Sequence, residues 1–520
     1  MPRGEVRSRA GAHGGFGVTS VRRFSRLPGP VVWTAAISAV SVLYMAFVLP
    51  LGNGQDEAQH IYRAYQLSLG QLFPQLIRCA SHPNVLACKV HYPGRFVPAQ
   101  RVGGRISAGL YEAFQALHRV MSAARGGAHF DPRVYTRVLG VTIAGPATIF
   151  EHFENTALYS PANYLPQTLV LWIGRQLSAS VIWTLFAARL LTGIVWATLI
   201  TTSVALVPRW KWLFSLAVLV PTALAEGSTL SADSMTLGLT ALTVAYALRL
   251  ADRGTPVRNA ALARLSALGL LVGLLKAPLP LVVLTALAIV WPVLGAGAAR
   301  RGRAVVAVLP GVLAAAWWTI ASSAYFVPYR NTAYRPAEQV HINPGAQGHY
   351  VLAHFYDVPA LLWRTAVNGR LLRLDGVVGT IGGAPLPEWF ALVWLAVLVA
   401  LAVGSREGRN PAPRLRAWLA ATLAAYVLAA AFGIYLTWTA VGAGQIQGMQ
   451  GRYFTPVLVL LVPLLAGLGG TRLHLGERTV ARTAMLVSGV CAIVLFAHNA
   501  EFYYRQAPWQ VVPRIASALF

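Results

Sequence analysis

Eleven mostly apolar stretches of 16 to 24 residues recur along this chain of 520 residues, at 31–50, 183–206, 212–228, 233–250, 260–275, 278–295, 303–325, 388–404, 416–438, 453–470 and 483–500. A helix of about 20 residues matches the roughly 30 Å hydrocarbon core of a bilayer, so each stretch is sized to cross one. Only 12% of the residues are charged, against about 25% in a soluble chain of this length. That deficit excludes a giant soluble core. The expected fold is an all-α polytopic membrane protein of about 11 transmembrane helices, range 10–13, with a large helical first loop. No small-residue cleavage site follows the first stretch, which reads as a retained helix rather than a signal peptide.

The net charge is +26, which in a soluble protein would suggest nucleic acid. Here the basic residues sit between apolar runs instead of on one helix face, and nucleic-acid binding is not expected. "PRWK", "RLADRGTPVRNAALAR", "ARRGR", "SREGRNPAPRLR" and "TRLHLGERTVAR" all fall on the same side as the Arg-rich N-terminal tail. Basic connections stay in the cytoplasm, so the N-terminus is assigned there. Of the seventeen acids, only Glu5, Asp252, Glu407 and Glu477 share that side. The remainder gather on the opposite face, where a working surface would explain them. "YSPANYLPQTLVLWIGRQL" (159–177) is apolar enough to suggest a twelfth crossing. Counting it would invert every later basic loop, so it is assigned to the exoplasmic interface.

This topology divides the chain into a basic, disordered tail at 1–30, a membrane domain at 31–500 and an exoplasmic tail at 501–520. Within the membrane domain, 51–182 forms the first outer loop and 326–387 the second. Three cysteines exclude a disulfide scaffold. Cys491 lies in an apolar run and reads as packing, whereas Cys79 and Cys88 fit a disulfide if their loop lies outside the cytoplasm.

The first exit from the membrane reads "LGNGQDEAQHIYRAYQL". Asp56, His60 and Arg63 follow at helical spacing and share a face, Glu57 projects about 100° away, and Ile61, Tyr65 and Leu69 form an apolar stripe. One reading is an interfacial helix whose first turn Asp56 caps. The other places paired carboxylates beside a substrate with one lipid end. Asp56 then takes a proton from a hydroxyl, and Glu57 orients the acceptor or a cation.

"DEAQHIYRAYQLSLG", "YSPANYLPQ", "SADS", "LLKAPLPLV" and "GRYFTPVLVLL" together resemble the motif series of a broad bacterial family of membrane proteins known as domain of unknown function 2142. That family in turn resembles C-type glycosyltransferases, which take sugars from polyprenyl-phosphate donors. The resemblance implies a C-type glycosyltransferase-like helical bundle in the plasma (inner) membrane, with its active site on the exoplasmic face. It implies an inverting hexosyl or pentosyl transfer to a cell-envelope glycan, lipid or protein acceptor, with Asp56 as base and Glu57 as its partner. Arg452 and Lys276 are then the groups for the donor phosphate, since a guanidinium and an ammonium both pair with it. Structural alternatives are an interfacial anchor for Arg452 and a snorkelling side chain for Lys276.

His60, Arg63, Glu154, Tyr159 and Asp233 complete the expected substrate-binding set, with Glu151, His152 and Glu226 near them. An N-cap role serves equally for Ser231 or Asp233. No H-E-x-x-H spacing occurs, so no metal or other cofactor is assigned; a divalent ion held by His60, His152 and the carboxylates stays open. The Gly-rich "GTIGGAPLP" lacks the Lys-Ser/Thr ending of a phosphate loop and reads as a turn; it also lacks the aromatic that the resembled family often carries near this point, which leaves Asp375 without an assigned role. Two other function classes fit a chain like this: a transporter or flippase of lipid-linked glycans, and a non-catalytic scaffold. Transporters tend to carry their charges at the bilayer midplane on interrupted, repeated helices, and no internal repeat is visible here.

Overall fold

The computed structural model describes residues 28–89, 99–125, 129–328, 341–368, 376–377, 380–381, 384–405, 407, 410–470 and 474–520. Most of the N-terminal tail and Asp375 therefore lie outside the described residues. Among those described, six helices are long and apolar enough to cross a bilayer: Gly29–Val48, Val181–Leu206, Asp233–Asp252, Gly297–Ser323, Pro413–Thr437 and Glu477–Tyr504. Four shorter apolar helices join them, at Asn259–Leu275, Pro280–Val293, Glu388–Gly404 and Thr455–Leu465.

Two of the expected crossings are interrupted. The run 212–228 breaks at Leu219 and Val220 into Lys211–Val218 and Pro221–Glu226. Pro221 has no N–H to give the preceding turn. The run 453–470 contains a tighter 3₁₀ coil, Thr455–Leu460, followed by a short α-helical stretch at Leu461–Leu465.

Helix Asp233–Asp252 is the centre of the bundle. Of its apolar window 78% is buried, against 22% for the peripheral Gly297–Ser323. Outward faces carry Leu43, Ile194, Leu313, Ile320, Leu486 and Ile493, all exposed, the reverse of a soluble surface and the arrangement expected against lipid.

Helices Asn259–Leu275 and Gly297–Ser323 meet backbone to backbone. A Cβ on Gly273 would lie 2.1 Å from the Gly311 carbonyl oxygen, and one on Gly311 would lie 2.5 Å from that of Gly269. Gly269 and Gly273 are four apart, the small-residue spacing that lets membrane helices approach closely. Pro310 interrupts the second helix and cannot donate to the Val306 carbonyl. The Ser266 hydroxyl donates there instead, at 2.9 Å, so no backbone acceptor is left bare in lipid.

The Arg-rich connections meet one another. Arg209 pairs with Asp252 at 2.6 Å, the Trp210 amide donates to the Glu407 carboxylate, and the Leu475 amide donates to the Gly404 carbonyl at 2.9 Å. Arg303 reaches the Val257 carbonyl at 2.7 Å. This basic end lies at the C-terminus of helix Asp233–Asp252. Asp233 is therefore at the other end, about 30 Å away at 1.5 Å per residue.

The first loop is not purely helical as expected. Strands β1 (Gln75–Arg78), β2 (Gln100–Ser107) and β3 (Thr148–His152) form an antiparallel sheet in the order β1-β2-β3. Gly103 allows the close pairing of β2 with β3, since a Cβ there would lie 2.0 Å from the Glu151 carbonyl oxygen. Cys79 and Cys88 form a disulfide just after β1. Helix Leu165–Gln176 within the 159–177 stretch has 12 residues, about 18 Å, too short to span the core. The last twenty residues are likewise no loose tail. Helix Pro508–Leu519 buries Val511, Ile515, Ala518 and Leu519, and the Thr136 hydroxyl donates to the Ala518 carbonyl at 2.7 Å.

Candidate functional site

The chain leaves helix Gly29–Val48 through a short turn and enters helix Glu57–Ser68 at Asp56. Asp56 has φ 55° and ψ 20°, the left-handed region, and its side chain makes no capping bond. Asp is among the few residues that enter this region at modest cost. The capping reading is thereby corrected: the carboxylate points away from the helix amides and meets Arg452. Arg452 Nη2 donates to Asp56 Oδ2 at 2.6 Å.

Arg452 sits in the 3₁₀ turn Gly451–Tyr453 and branches across two acids. Its Nη1 reaches Asp233 Oδ2 at 3.3 Å, and its Nε donates to the Gln450 side chain at 2.7 Å. Asp233 opens the central helix, where the Ser231 hydroxyl accepts its amide at 3.1 Å. The other oxygen of Asp233 pairs with the Lys276 ammonium. The result is a chain of alternating charge, Asp56–Arg452–Asp233–Lys276, drawn from four distant parts of the sequence. Its side chains are 6% (Arg452), 5% (Asp233) and 12% (Lys276) exposed, against 34% for Asp56. Asp56 is the most exposed member of this chain. Burial alone would depress both cations. The carboxylates override it: Asp233 holds Lys276 above its ordinary value, and Asp233 with Asp56 does the same for Arg452.

"YSPANYLPQ" builds the wall of this site. The Ser160 hydroxyl donates to the Leu274 carbonyl at 2.6 Å and the Asn163 amide to the Leu275 carbonyl at 3.0 Å. These bonds satisfy carbonyls that a helix end leaves open, and they fix the point where Asn259–Leu275 stops and Lys276 begins. Gln167 donates to the Ser231 carbonyl at 3.3 Å. The Tyr159 ring lies 5.5 Å from Lys276 Nζ and 5.6 Å from the His60 ring. His60 Nδ1 and the Tyr164 hydroxyl are 2.7 Å apart, and burial pushes the imidazole down to about 4.

Asp56, His60, Tyr159, Asp233, Lys276 and Arg452 thus come together, and the other expected members separate from them. Glu57 is fully buried and bound through both oxygens to Arg189, at 2.8 and 2.6 Å. Its carboxylate also accepts the Gly54 and Leu230 amides, each at 3.0 Å. Burial works to raise this carboxyl, but Arg189 and the two amides hold it below the usual range. With both oxygens accepting two hydrogen bonds each, Glu57 clamps Arg189 and the two amides and has no acceptor position left for an incoming group. Arg63 aims its guanidinium at backbone and amide groups, the Gln66 side chain at 2.6 Å, the Leu72 carbonyl at 2.8 Å and, more weakly, the Tyr159 carbonyl at 3.4 Å, and meets none of the four charged side chains in these bonds. Glu154 belongs to a separate buried group with Arg101 at 3.2 Å and His152 at 2.7 Å. Glu226, fully buried, accepts the Thr229 and Ser231 hydroxyls. Among the described residues, no three His, Cys, Asp or Glu converge as ligands for a metal.

Arg189, which the sequence did not single out, holds the entry to this site in place. Its signal was a lone cation inside "VIWTLFAARLLTGIVWATL", where an ionisable residue is costly enough to require a partner. Besides Glu57 it binds the Ala46, Leu49 and Pro50 carbonyls, which fastens the turn leading to Asp56. An open groove of about 600 Å³ lies to one side, lined by Leu67, Leu69, Leu165, Leu169, Trp172 and Arg175 among others. The four charged side chains do not line it.

A family model described as "Predicted membrane protein (DUF2142)" matches residues 40–461. No curated protein and no solved structure matches the chain.

Proposed function

The chain belongs to this DUF2142 family of predicted membrane proteins, and we propose that within it the protein is a glycosyltransferase using a polyprenyl-phosphate sugar. One observation carries the reading. Asp56, Asp233, Lys276 and Arg452 converge at the end of the bundle opposite its Arg-rich connections. Such connections tend to stay cytoplasmic, and in this reading the convergent end is the exoplasmic one. The Cys79–Cys88 disulfide in the adjoining loop supports that side, since disulfides persist in oxidising compartments.

In the proposed reaction the acceptor hydroxyl oxygen bonds to the anomeric carbon from the face opposite the phosphate. The carbon–oxygen bond to the phosphate breaks, and its electron pair leaves on the lipid phosphate. Asp56, the exposed carboxylate, takes the acceptor proton. Negative charge grows on the departing phosphate, so Arg452 and Lys276 favour the transition state over the ground state. Asp233 holds the two cations in place before the donor arrives. The acceptor would be a cell-envelope glycan, lipid or protein.

A carrier would use charges that move within the membrane. Its gating charges would be Asp56, Asp233 and Lys276, but these gather at one end of the bundle instead of at the midplane, which favours the enzyme.

The test is release of free lipid phosphate from radiolabelled polyprenyl-phosphate sugars by protein in nanodiscs, comparing wild type with Asp56→Asn. Release by the wild type and its loss in the variant, with donor binding kept, is expected. Equal release by both proteins rejects Asp56 as base; donor binding without release in both, with cell-envelope acceptors added, rejects the enzyme for a carrier.

A further inference from the structure

The second outer loop contains two short helices, Pro344–Ala353 and Val358–Val367. Their inner sides pack on the segment that leads to Arg452. Gln347 accepts the Gly442 amide at 2.9 Å, Thr365 accepts the Ile446 amide at 3.1 Å, and Arg364 donates to the Gly444 carbonyl at 3.0 Å. The outer side is a different chemistry. Leu352, Phe355, Tyr356, Trp363 and Val367 are 75%, 72%, 64%, 71% and 63% exposed. Large aliphatic and aromatic side chains this bare form a patch that calls for a covering partner.

We infer that this face docks into the headgroup region of the outer leaflet, so that a lipid surface is its partner. Three observations favour lipid over a protein. The loop leaves helix Gly297–Ser323, where Trp317 and Ile320 are 55% and 73% exposed, and rejoins the bundle at Glu388–Gly404, where Trp389 is 64% exposed. Both attachments are therefore lipid-facing helix ends, and the loop starts and finishes at the bilayer surface. The face is composed of Trp, Tyr, Phe and aliphatics, the residues that settle at membrane interfaces. The helices are 10 residues each, about 15 Å, long enough to lie in the interface and too short to cross it. Docking holds the 442–446 segment at headgroup depth, and Arg452 follows six residues later on the same segment. The inference concerns where this face sits and stands whether or not the site transfers sugar.

The experiment places a nitroxide on single cysteines replacing Leu352, Phe355, Trp363 or Val367 in the full chain in phospholipid nanodiscs, with Arg133, 78% exposed and outside this loop, as the control site. The buried Cys491 and the Cys79–Cys88 disulfide leave the introduced thiol to be labelled. Power saturation with oxygen, which concentrates in lipid, is compared with that by a water-soluble nickel chelate. Oxygen is expected to relax the four face labels several-fold more than the chelate does, while Arg133→Cys shows the reverse. Preference for the chelate at all four overturns the inference and returns the face to water. Protection from both reagents overturns it in favour of a protein partner. A variant that fails to fold is replaced by its neighbour on the same face, since any of the four reports the same surface.

Discussion

Arg452 and Asp56 are 396 residues apart in sequence and 2.6 Å apart in space. The pair joins the first turn outside the membrane to the start of a late helix. Arg452 makes this junction with three different nitrogens, one each for Asp56, Asp233 and Gln450.

A lysine cannot repeat that branching, because its ammonium is a single compact charge. In Arg452→Lys, lipid-phosphate release is expected to fall about 10²-fold, the scale of losing one fixed stabilising group, with the melting temperature little changed. Undiminished release would remove Arg452 from the reaction.

Glu57 and Arg189 form a pair with no exposed side-chain surface. Removing one partner strands the other's charge, at a cost of about 3–5 kcal/mol. Glu57→Gln should lower the melting temperature in detergent sharply. The half-exposed Arg209–Asp252 pair provides the comparison: Asp252→Asn should cost about 1 kcal/mol or less. Equal shifts in the two variants would show that the Glu57 pair is no clamp.

His60 gives stability a pH dependence with a definite sign. Burial lowers its pKa from 6.5 to about 4, so in that interval the unfolded chain takes a proton that the folded chain refuses. Its contribution is complete above pH 6.5 and is lost as pH falls toward 4, by about 1.4 kcal/mol per pH unit. Melting curves of His60→Gln across this interval should be flatter than those of the wild type. Parallel curves would assign the pH dependence elsewhere.

Gly273 faces the Gly311 carbonyl, and backbone cannot step aside as a side chain can. Gly273→Ala should separate the two helices and cost about 1–3 kcal/mol or more. Gly302→Ala, where a Cβ would meet nothing, should leave thermal melting in detergent unchanged. Matching losses would mean that the close crossing is unimportant.

Hydropathy alone determined that the chain is a membrane protein with many apolar helices, because the ~30 Å span needed to cross lipid is a one-dimensional property. The positions of Arg and acid likewise divided the connections into two groups, and the ends of helix Asp233–Asp252 separate the corresponding clusters. Helix Glu57–Ser68 was legible too, from the 3.6-residue spacing of Ile61 and Tyr65. Helix continuity was less so: Pro221 breaks one run, and the 3₁₀ coil Thr455–Leu460 tightens another. Strand β2 was hidden as well, since its Gly103 serves a close backbone approach that hydropathy does not register.

Adjacent Asp56 and Glu57 look equivalent in the sequence, yet tertiary structure gives them opposite surroundings. A left-handed residue turns Asp56 toward Arg452 at the surface, while Glu57 enters the helix and is sealed against Arg189. Asp233 and Glu154 were equal candidates until folding placed one between two cations of the site and the other beside Arg101. The types of charge and their side of the membrane are written along the chain. Which charges meet depends on distances across hundreds of residues, and those exist only once the helices have packed.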